Sequence, residues 1–508
     1  MSFTSLLFPG TDAQTEEIEV PDYFRDLNLD QVVAGATKGK GTYDLLPFFY
    51  RRLQKRDDIL YRQEVMRDLE GPLGARIRGF AGEIERIRRQ LRAAREGYYR
   101  LNKQSWFLTA AATYSRAIAQ LLSDLQRGRP ASRGFGGLRD YLERYVASEP
   151  FQTLVADTER VETVLGSVRY CVRIRDDVVR VSAYGDEADY SSEVDATFAK
   201  FRQGATNDYR NKYSELTGAN HIEAQIAELV AKLNPEIFKE FDDYCAMHTD
   251  FLDPTIDRFD REVQFYLAYL AYIEPLRRAG LPFCYPAVDR QTKKVHAADT
   301  FDLALAARQV DENGELVLND FRLYGGERVL VISGPNQGGK TTFARTLGQL
   351  HHLASLGFPV AGSTAQLFLC DQIFTHFERE ERIEDLRGKL HDDVLRIHRI
   401  LAAATGNSLV IMNEIFASTA LADAVFLATA VMERILDLEC LGVCVSFLDE
   451  LGRMSPAVVS MVSSVVPEDP ARRTFKLIRR PADGRAYAMA IAEKYRLDSR
   501  SIRERLAR

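Results

Sequence analysis

The chain has no excess of positive charge and no long apolar run. Its 508 residues include 67 Lys and Arg against 73 Asp and Glu, for a net charge of −6. Such a balance gives no global attraction to nucleic acid, so any DNA contact must come from a local basic patch. The N-terminus lacks the basic region of a secretion signal, and nowhere do about twenty apolar residues run together. The sequence therefore predicts a cytoplasmic protein with no membrane partner.

The six cysteines form no CxxC pair and have no histidine beside them at metal-ligand spacing. They predict buried free thiols in a reducing compartment. The sequence also has no short-period repeat and no low-complexity tail. A chain of this length is too long for one ordinary core, so two to four units are expected.

From about Pro21 to Arg278 the apolar residues recur at helical spacing, which predicts a mostly helical half. In one stretch Phe80, Ile84, Ile87, Leu91 and Ala94 share a face, and four arginines fall largely elsewhere: Arg86, Arg89, Arg92 and Arg95. Two interpretations of this basic helix stay open. It is either a solvated face that pairs with nearby acids, as charge runs usually are, or a nucleic-acid contact.

A second basic cluster, Arg127, Arg129 and Arg133, lies among four glycines and a proline. It predicts a mobile loop that suits phosphate contact, with an ordinary interhelical connection as the alternative. The aromatic-rich segment Pro235 to Arg278 predicts a long core helix. Prolines and polar residues at about Gly280 to Thr300 then mark a domain boundary.

Beyond that boundary short strands alternate with helices, which predicts a largely parallel sheet covered on both faces. The expected strands and helices are, in order, Phe321 to Tyr324, Arg328 to Ser333, the helix Thr341 to Leu356, the strand region Leu367 to Phe377, the helix Gly388 to Thr405, the strand Ser408 to Met412, the helix Leu421 to Leu438 and the strand Gly442 to Phe447.

A phosphate-binding loop follows one of these strands. The run GPNQGGKT fits GxxxxGK[ST] and comes directly after an apolar stretch, where backbone N–H groups and a helix N-terminus would face a polyphosphate. Lys340 would reach the β- and γ-phosphates of ATP, and Thr341 would offer its hydroxyl to Mg²⁺. The alternative is a glycine-rich turn without a ligand. The predicted nucleotide-binding residues are Gly334, Pro335, Asn336, Gln337, Gly338, Gly339, Lys340, Thr341 and Thr342.

The strand Ser408 to Met412 ends in Asn413 and Glu414, where a Walker B element belongs. Glu414 is the candidate that orients the water attacking the γ-phosphate. Its alternative is an acid at a helix N-terminus that complements the dipole. Asn413 stands where an aspartate usually acts on Mg²⁺. A neutral amide can accept a hydrogen bond from metal-bound water but adds no charge, so weaker Mg²⁺ binding and slower turnover are expected.

These segments resemble MutS-family ATPases. GPNQGGKTTFARTLGQLHHLASLGFPV is similar to the family's GPNMGGKST region, LVIMNEIFASTAL to its LVLMDEIGRGTS segment and DQIFTHF to its DRIFTR strand. Within LVLNDFRL, Asn319 matches a family asparagine, which implies a nucleotide contact. The resemblance is strong over Leu316 to Phe447. Before that it is weaker, where LNLDQVV and ILYRQEVMRDLEGP resemble the start of the core and lever domains.

The departures from the family pattern also carry expectations. Only some twenty residues precede the core-like match, so a mismatch-reading domain of on the order of a hundred residues is not expected, and no nuclease domain is expected after Arg508. Lys389 stands at the helix start that replaces the family's ST-F-M motif. There it could place a positive charge at the γ-phosphate of a nucleotide bound to a partner subunit. The alternative is an exposed helix-terminal lysine. Phe447 replaces the switch histidine. Ser418 and Thr419 would line a dimer seam.

The resemblance implies a multidomain protein, with a tail over residues 1–20, a mostly α-helical core and lever region over 21–290 and an α/β ABC-type P-loop ATPase domain over 291–508. It implies an ATP- and Mg²⁺-dependent homodimeric clamp on duplex or branched DNA, in repair or recombination without direct mismatch reading. The rival interpretation is a nucleotide-gated switch that assembles with a protein partner, with little ATP turnover and no DNA role.

Overall fold

The structure is a computed structural model that describes residues 3–10, 19–176, 178–185, 221–378, 388–466, 469–482 and 503. Helices dominate the first half of the described chain, and no helix in these ranges has the length and apolar character to cross a membrane. The helices are Tyr23–Asp26, Leu29–Ala36, Leu46–Tyr50, Arg56–Glu70, Pro72–Glu96, Arg100–Gly128, Arg133–Val146, Glu149–Ser167, His221–Leu233, Pro235–Met247, Pro254–Arg278, Leu303–Asp311, Lys340–Ser355, Lys389–Ala403 and Leu421–Asp437, with short 3-10 helices at Gly41–Tyr43 and Asp449–Arg453.

The strands form a six-stranded sheet, a four-stranded sheet and two strand pairs. The strands are β1 (Tyr170–Arg175), β2 (Val178–Ala183), β3 (Phe283–Cys284), β4 (Ala287–Asp289), β5 (Val295–Thr300), β6 (Asn319–Leu323), β7 (Val329–Ser333), β8 (Val360–Ala361), β9 (Thr364–Phe368), β10 (Ile373–His376), β11 (Leu409–Asn413), β12 (Leu441–Val445), β13 (Val458–Val466) and β14 (Asp469–Arg479). The large sheet has the order β10-β11-β12-β7-β13-β14, in which only β14 runs antiparallel to its neighbour. The protein is therefore multidomain, with a large helical content and mixed sheets.

The centre of the six-stranded sheet is buried on both faces. Every residue of β7, β11 and β12 is buried, as expected when helices cover both sides of a parallel sheet. The apolar runs that predict these strands are confirmed to within a residue or two at each end. Because parallel neighbours end at one edge, the sheet carries the carboxyl ends of β7 and β11 to the same edge.

The chain divides into two compact units. One comprises Met1–Phe3, Gly71–Ala131 and Phe135–Asp260, and the other comprises Thr4–Glu70, Ser132–Gly134 and Arg261–Arg508. The second unit takes in residues before 70 because they pack on the α/β part: Gln349 Nε2 donates to the carbonyl of Leu27 at 2.8 Å. The boundaries of the two compact units therefore do not fall at residue 290. The domain boundaries expected from the resemblance stay a prediction.

The residues at the start of the chain are buried. Leu6 and Leu7 have 0% exposure, and side chains hold the backbone around them. Tyr266 Oη donates to the carbonyl of Leu6 at 2.7 Å, and Glu262 Oε2 accepts from the Leu6 amide at 2.6 Å. Residues 5–7 therefore form part of the packed structure, and the expected tail over residues 1–20 stays a prediction.

The expected exposure of the arginines in the helix Pro72–Glu96 is confirmed, while the expected burial of its apolar face and of the cysteines holds in part. Phe80, Ile84 and Ile87 are buried, while the four arginines of that helix, Arg86, Arg89, Arg92 and Arg95, are exposed. All six cysteines are free thiols, but only Cys370, Cys440 and Cys444 are fully buried.

Four details of the helical half differ from the sequence expectation. Gly134, Gly136 and Gly137 lie in the helix Arg133–Val146 and not in a loop. Close packing explains Gly134, since a Cβ there would approach Val65 Cγ2 to 2.7 Å. Arg133 is paired with Asp57 and Glu64. The segment from Pro235 to Arg278 is two helices, and β1 and β2 form a hairpin within the helical half.

Candidate nucleotide site

The phosphate loop joins β7 to the helix Lys340–Ser355. Gly334 and Gly339 have φ of 120° and 86°, a region in which side chains are strained. A Cβ on Gly334 would lie 3.0 Å from the backbone N of Ser463, and one on Gly338 would lie 2.4 Å from Ser463 Oγ. The glycines are therefore required both by the turn and by the close approach of β13.

Lys340 is buried at the start of the helix. Its Nζ donates to the carbonyl oxygens of Gly334 and Pro335 at 2.9 and 3.0 Å, so the loop's own backbone holds the ammonium at the loop. Burial lowers the pKa of Lys340, and the negative charge of Glu414 acts against that shift. This cation and this carboxylate therefore act on one another in a partly desolvated site.

Thr341 connects the phosphate loop to the end of β11. Its hydroxyl donates to Asn413 Oδ1 at 2.8 Å, and Asn413 is buried. A hydroxyl and an amide carbonyl are oxygen ligands of the kind that Mg²⁺ accepts directly or through water. The two predicted metal residues are thus brought together, and the pair fits a magnesium site that relies on the phosphates for most of its negative charge.

Glu414 follows β11 with a left-handed backbone. Its φ is 53° and that of Phe416 is 58°, and residues other than glycine seldom adopt such angles. The Glu414 amide donates to the carbonyl of Val445 on β12 at 2.9 Å, while Phe416 is 1% exposed. Pairing and packing together hold this turn, which is typical of strain retained at functional sites.

A cavity of about 680 Å³ lies over the loop, within the size range of small-molecule sites. Predicted residues that line it are Asn319, Asn336, Gln337, Gly338, Gly339, Lys340, Thr341, Thr342 and Glu414. Gly334, Pro335 and Asn413 do not line it but bond to Lys340 or Thr341. The cavity therefore offers a polyphosphate cradle with an acid on one side.

Asn319 joins two strands while it lines the cavity. Its Oδ1 accepts from the Leu477 amide at 2.8 Å, and its Nδ2 donates to the carbonyl of Phe475 at 3.0 Å. Both contacts attach β6 to β14. The asparagine thus has a structural task here, and its contact with a nucleotide stays a prediction.

Three site residues from β13 and β14 were missed by sequence reasoning. Ser463 Oγ donates to the carbonyl of Gly338 at 2.6 Å, and Arg473 Nε donates to that of Asn336 at 3.2 Å. Phe475, which is 48% exposed, lines the cavity with a φ of 56°. No motif marks these residues, because they reach the loop only through the pairing of β13 with β7.

The remaining predicted residues lie outside the cavity. Lys389 begins the helix Lys389–Ala403 and forms an ion pair with Glu378 of the same chain. Phe447 is 49% exposed after β12. The action of Lys389 on a partner subunit, and the lining of a dimer seam by Ser418 and Thr419, stay predictions.

Asn413→Asp would place a carboxylate beside the Thr341 hydroxyl. We expect the Mg²⁺ concentration that half-saturates ATP hydrolysis to fall by about tenfold, because Mg²⁺ sites beside substrate phosphates usually include a carboxylate. The measurement is a Mg²⁺ titration of steady-state ATP turnover. Asn313→Asp, at an exposed position outside the cavity, controls for the added charge. An unchanged titration in Asn413→Asp would show that residue 413 does not act on the metal.

Together the fold and the site define a P-loop nucleotide-binding domain. Residues 330–504 match the model of MutS domain V, an ATPase domain. The chain is 29% identical over 192 residues to endonuclease MutS2 of Gemmatimonas aurantiaca, and this alignment covers 37% of this chain and 23% of that protein. It is 30% identical over 235 residues to the DNA mismatch repair protein MutS of Symbiobacterium thermophilum, and this alignment covers 46% of this chain and 26% of that protein.

The DNA mismatch repair protein MutS of Erythrobacter litoralis is 28% identical over 222 residues, or 43% of this chain and 25% of that protein. The alignments thus span about a quarter of the length of these relatives. They show that the C-terminal part of the chain is homologous to MutS and MutS2 proteins, which confirms that much of the resemblance. The absence of a mismatch-recognition domain stays a prediction.

Proposed function

We propose that the chain is a MutS-like ATPase that binds and hydrolyses ATP and acts as an ATP-driven dimer clamp on DNA, in repair or recombination, without direct mismatch reading. The observation that carries the proposal is the contact between Thr341 and Asn413, together with the lining of one cavity by Lys340, Thr341 and Glu414. This arrangement joins the phosphate loop to the strand whose end supplies the acid for hydrolysis.

Each residue has a separate task in this proposal. Lys340 binds the β- and γ-phosphates, and the loop amides orient them. Glu414 orients the attacking water and accepts its proton. Thr341 and Asn413 would hold Mg²⁺, which when bound neutralises charge on the phosphates. Phe475, an exposed ring on the cavity wall, is placed to cover the apolar face of the nucleotide.

Dimer closure belongs to the same proposal. Two ATPase domains would meet with nucleotide between them, and hydrolysis would release them. For Lys389 to act across the interface, its ammonium must leave Glu378, with which it is paired. The exposed Phe447 and the exposed start of the helix Leu421–Asp437, where Leu421 is 71% exposed, provide apolar surface that a partner subunit could cover.

DNA contact has a candidate surface on the hairpin of β1 and β2. Arg169, Arg173, Arg175 and Arg180 are all exposed on or beside it. Arg173 lies directly opposite Arg180 in the register, and arginines are common partners of phosphate oxygens. The hairpin thus supplies the local basic patch that an acidic chain needs to bind DNA.

The test is equilibrium binding of the full chain to duplex and branched DNA over a range of low salt concentrations. We expect Arg175→Gln with Arg180→Gln to weaken binding and to reduce the slope of log affinity against log salt by about 2, since two phosphate contacts are lost. Arg278→Gln, at an exposed arginine of the other unit, should leave the slope unchanged. Failure of the unaltered chain to bind any DNA would overturn the DNA part of the proposal.

A second candidate function is a nucleotide-gated switch that assembles with a protein partner and hydrolyses little ATP. Two observations favour it: the neutral Asn413 where an aspartate is usual, and the exposed Phe447 where the resembling proteins have a histidine. Both candidates need Lys340, so of these two substitutions only that of Glu414 separates them.

A further inference from the structure

The turn between two long helices carries an aromatic pair, of which one ring is exposed and the other is half-buried. Pro72–Glu96 and Arg100–Gly128 are joined by Gly97, Tyr98 and Tyr99. The Tyr98 side chain is 90% exposed, and its ring lies 5.0 Å from that of Tyr99, at 83°. No other large apolar side chain among the described residues is as exposed as Tyr98. Its ring is therefore free to receive a flat partner.

The turn itself is fixed rather than loose. The Gly97 amide donates to the carbonyl of Ala93 at 2.9 Å, and a Cβ on Gly97 would approach that oxygen to 2.8 Å. At the start of the next helix, Arg100 pairs with Asp242 and Glu228. These contacts hold the turn in place, so exposure of the tyrosine does not depend on a disordered backbone.

Uncompensated positive charge surrounds the aromatic pair. Arg86 and Arg88 of the first helix are paired with acids, which agrees with the solvated-face interpretation for that part. Nearer the turn, Arg92 and Arg95 are exposed and have no acidic partner within the described ranges. Lys103, one turn into the second helix, likewise has none among those residues. Glu96 is adjacent to Arg95 in the chain, and Asp242 and Glu228 are already paired with Arg100.

Exposed aromatic rings beside unpaired cations are the combination that binds single-stranded nucleic acid, since bases stack on the rings and cations follow the phosphates. A fully paired duplex presents base edges in its grooves, and its base faces are covered by stacking. The ring of Tyr98 thus suits DNA in which bases are unpaired. A contact that relied only on electrostatic attraction to duplex phosphates would require the arginines but not the exposed ring.

We propose that the tip formed by Arg92, Arg95, Tyr98, Tyr99 and Lys103 stacks on unpaired DNA bases, so that the protein prefers single-stranded or branched DNA to intact duplex. This inference rests on the proposed DNA-binding function and names the class of DNA. It assigns the duplex contact to the β1 and β2 hairpin and the contact with unpaired bases to the tip.

The experiment compares equilibrium binding of the full chain to a labelled oligothymidylate of about 16 nucleotides, near the upper size of such sites, with binding to a duplex of equal length. We expect Tyr98→Ala to raise the Kd for the single strand by about tenfold and to leave the Kd for the duplex unchanged. Tyr98→Phe, which keeps the ring, should bind both as the unaltered chain does.

Each other outcome decides against the inference. An unchanged single-strand Kd in Tyr98→Ala, or an equal loss on both DNA forms, overturns it. If the unaltered chain binds duplex but not the single strand, this inference fails while the proposed function stands. If the chain binds neither form, both fail.

Discussion

Lys340→Ala is expected to weaken ATP binding strongly. In the structure the Lys340 ammonium is buried at the loop, held by two backbone carbonyls and placed on the wall of the cavity. Loss of one partner of a buried charge pair costs about 2 to 5 kcal/mol or more, so affinity for ATP should fall by about 30-fold to several thousandfold. Binding of a fluorescent ATP analogue measures this directly.

The matched control for Lys340→Ala is Lys38→Ala, at an exposed lysine in the same unit. It should bind ATP as the unaltered chain does, and thermal unfolding should show that both variants are folded. ATP-driven dimer closure should be lost with binding in Lys340→Ala. If the folded Lys340→Ala variant retained full affinity, the loop would not be the phosphate site.

Glu414→Gln is expected to lower ATP turnover by about 10² to 10⁴, the usual contribution of a positioned general base. ATP affinity should persist, because Lys340 and the loop amides remain. The replacement keeps the length of the side chain and removes the charge. We expect ATP to hold this variant in a closed dimer, measured by light scattering together with phosphate release.

Glu414→Gln also separates the two candidate functions. Under the proposed clamp the unaltered chain returns to the open form as it consumes ATP, while the variant stays closed. Under the assembly switch both proteins behave alike, because neither hydrolyses ATP appreciably. Turnover in the variant equal to that of the unaltered chain would show that another group activates the water.

The sequence could predict the parts of the site that are close together along the chain. The run from Gly334 to Thr341 and the end of β11 depend on local signals: apolar strands, glycines at a turn and a polar pair after a strand. Alternation of strands and helices also predicted the parallel sheet. The direct contact of Thr341 with Asn413 follows from the common edge at which β7 and β11 end.

The rest depends on contacts between distant segments. Ser463, Arg473 and Phe475 reach the loop because β13 pairs with β7 and β14 returns antiparallel, and no spacing in the sequence encodes that. Gly134 resembled a loop glycine, although its lack of a Cβ serves helix packing. The hairpin of β1 and β2 was missed although Val172, Arg173, Ile174 and Arg175 alternate as in a strand, because its two six-residue strands lie within a segment dominated by helical spacing.

The most direct test of the account is steady-state ATP hydrolysis by the purified chain with Mg²⁺, with and without duplex, mismatched and branched DNA, beside Glu414→Gln as the blank. We predict that the chain hydrolyses ATP and that DNA changes the rate of hydrolysis. Glu414→Gln should lack this activity, and mismatches in the duplex should have no specific effect on it. Tight ATP binding without turnover, and without a response to any of these DNA structures at low salt, would contradict it and favour the assembly switch.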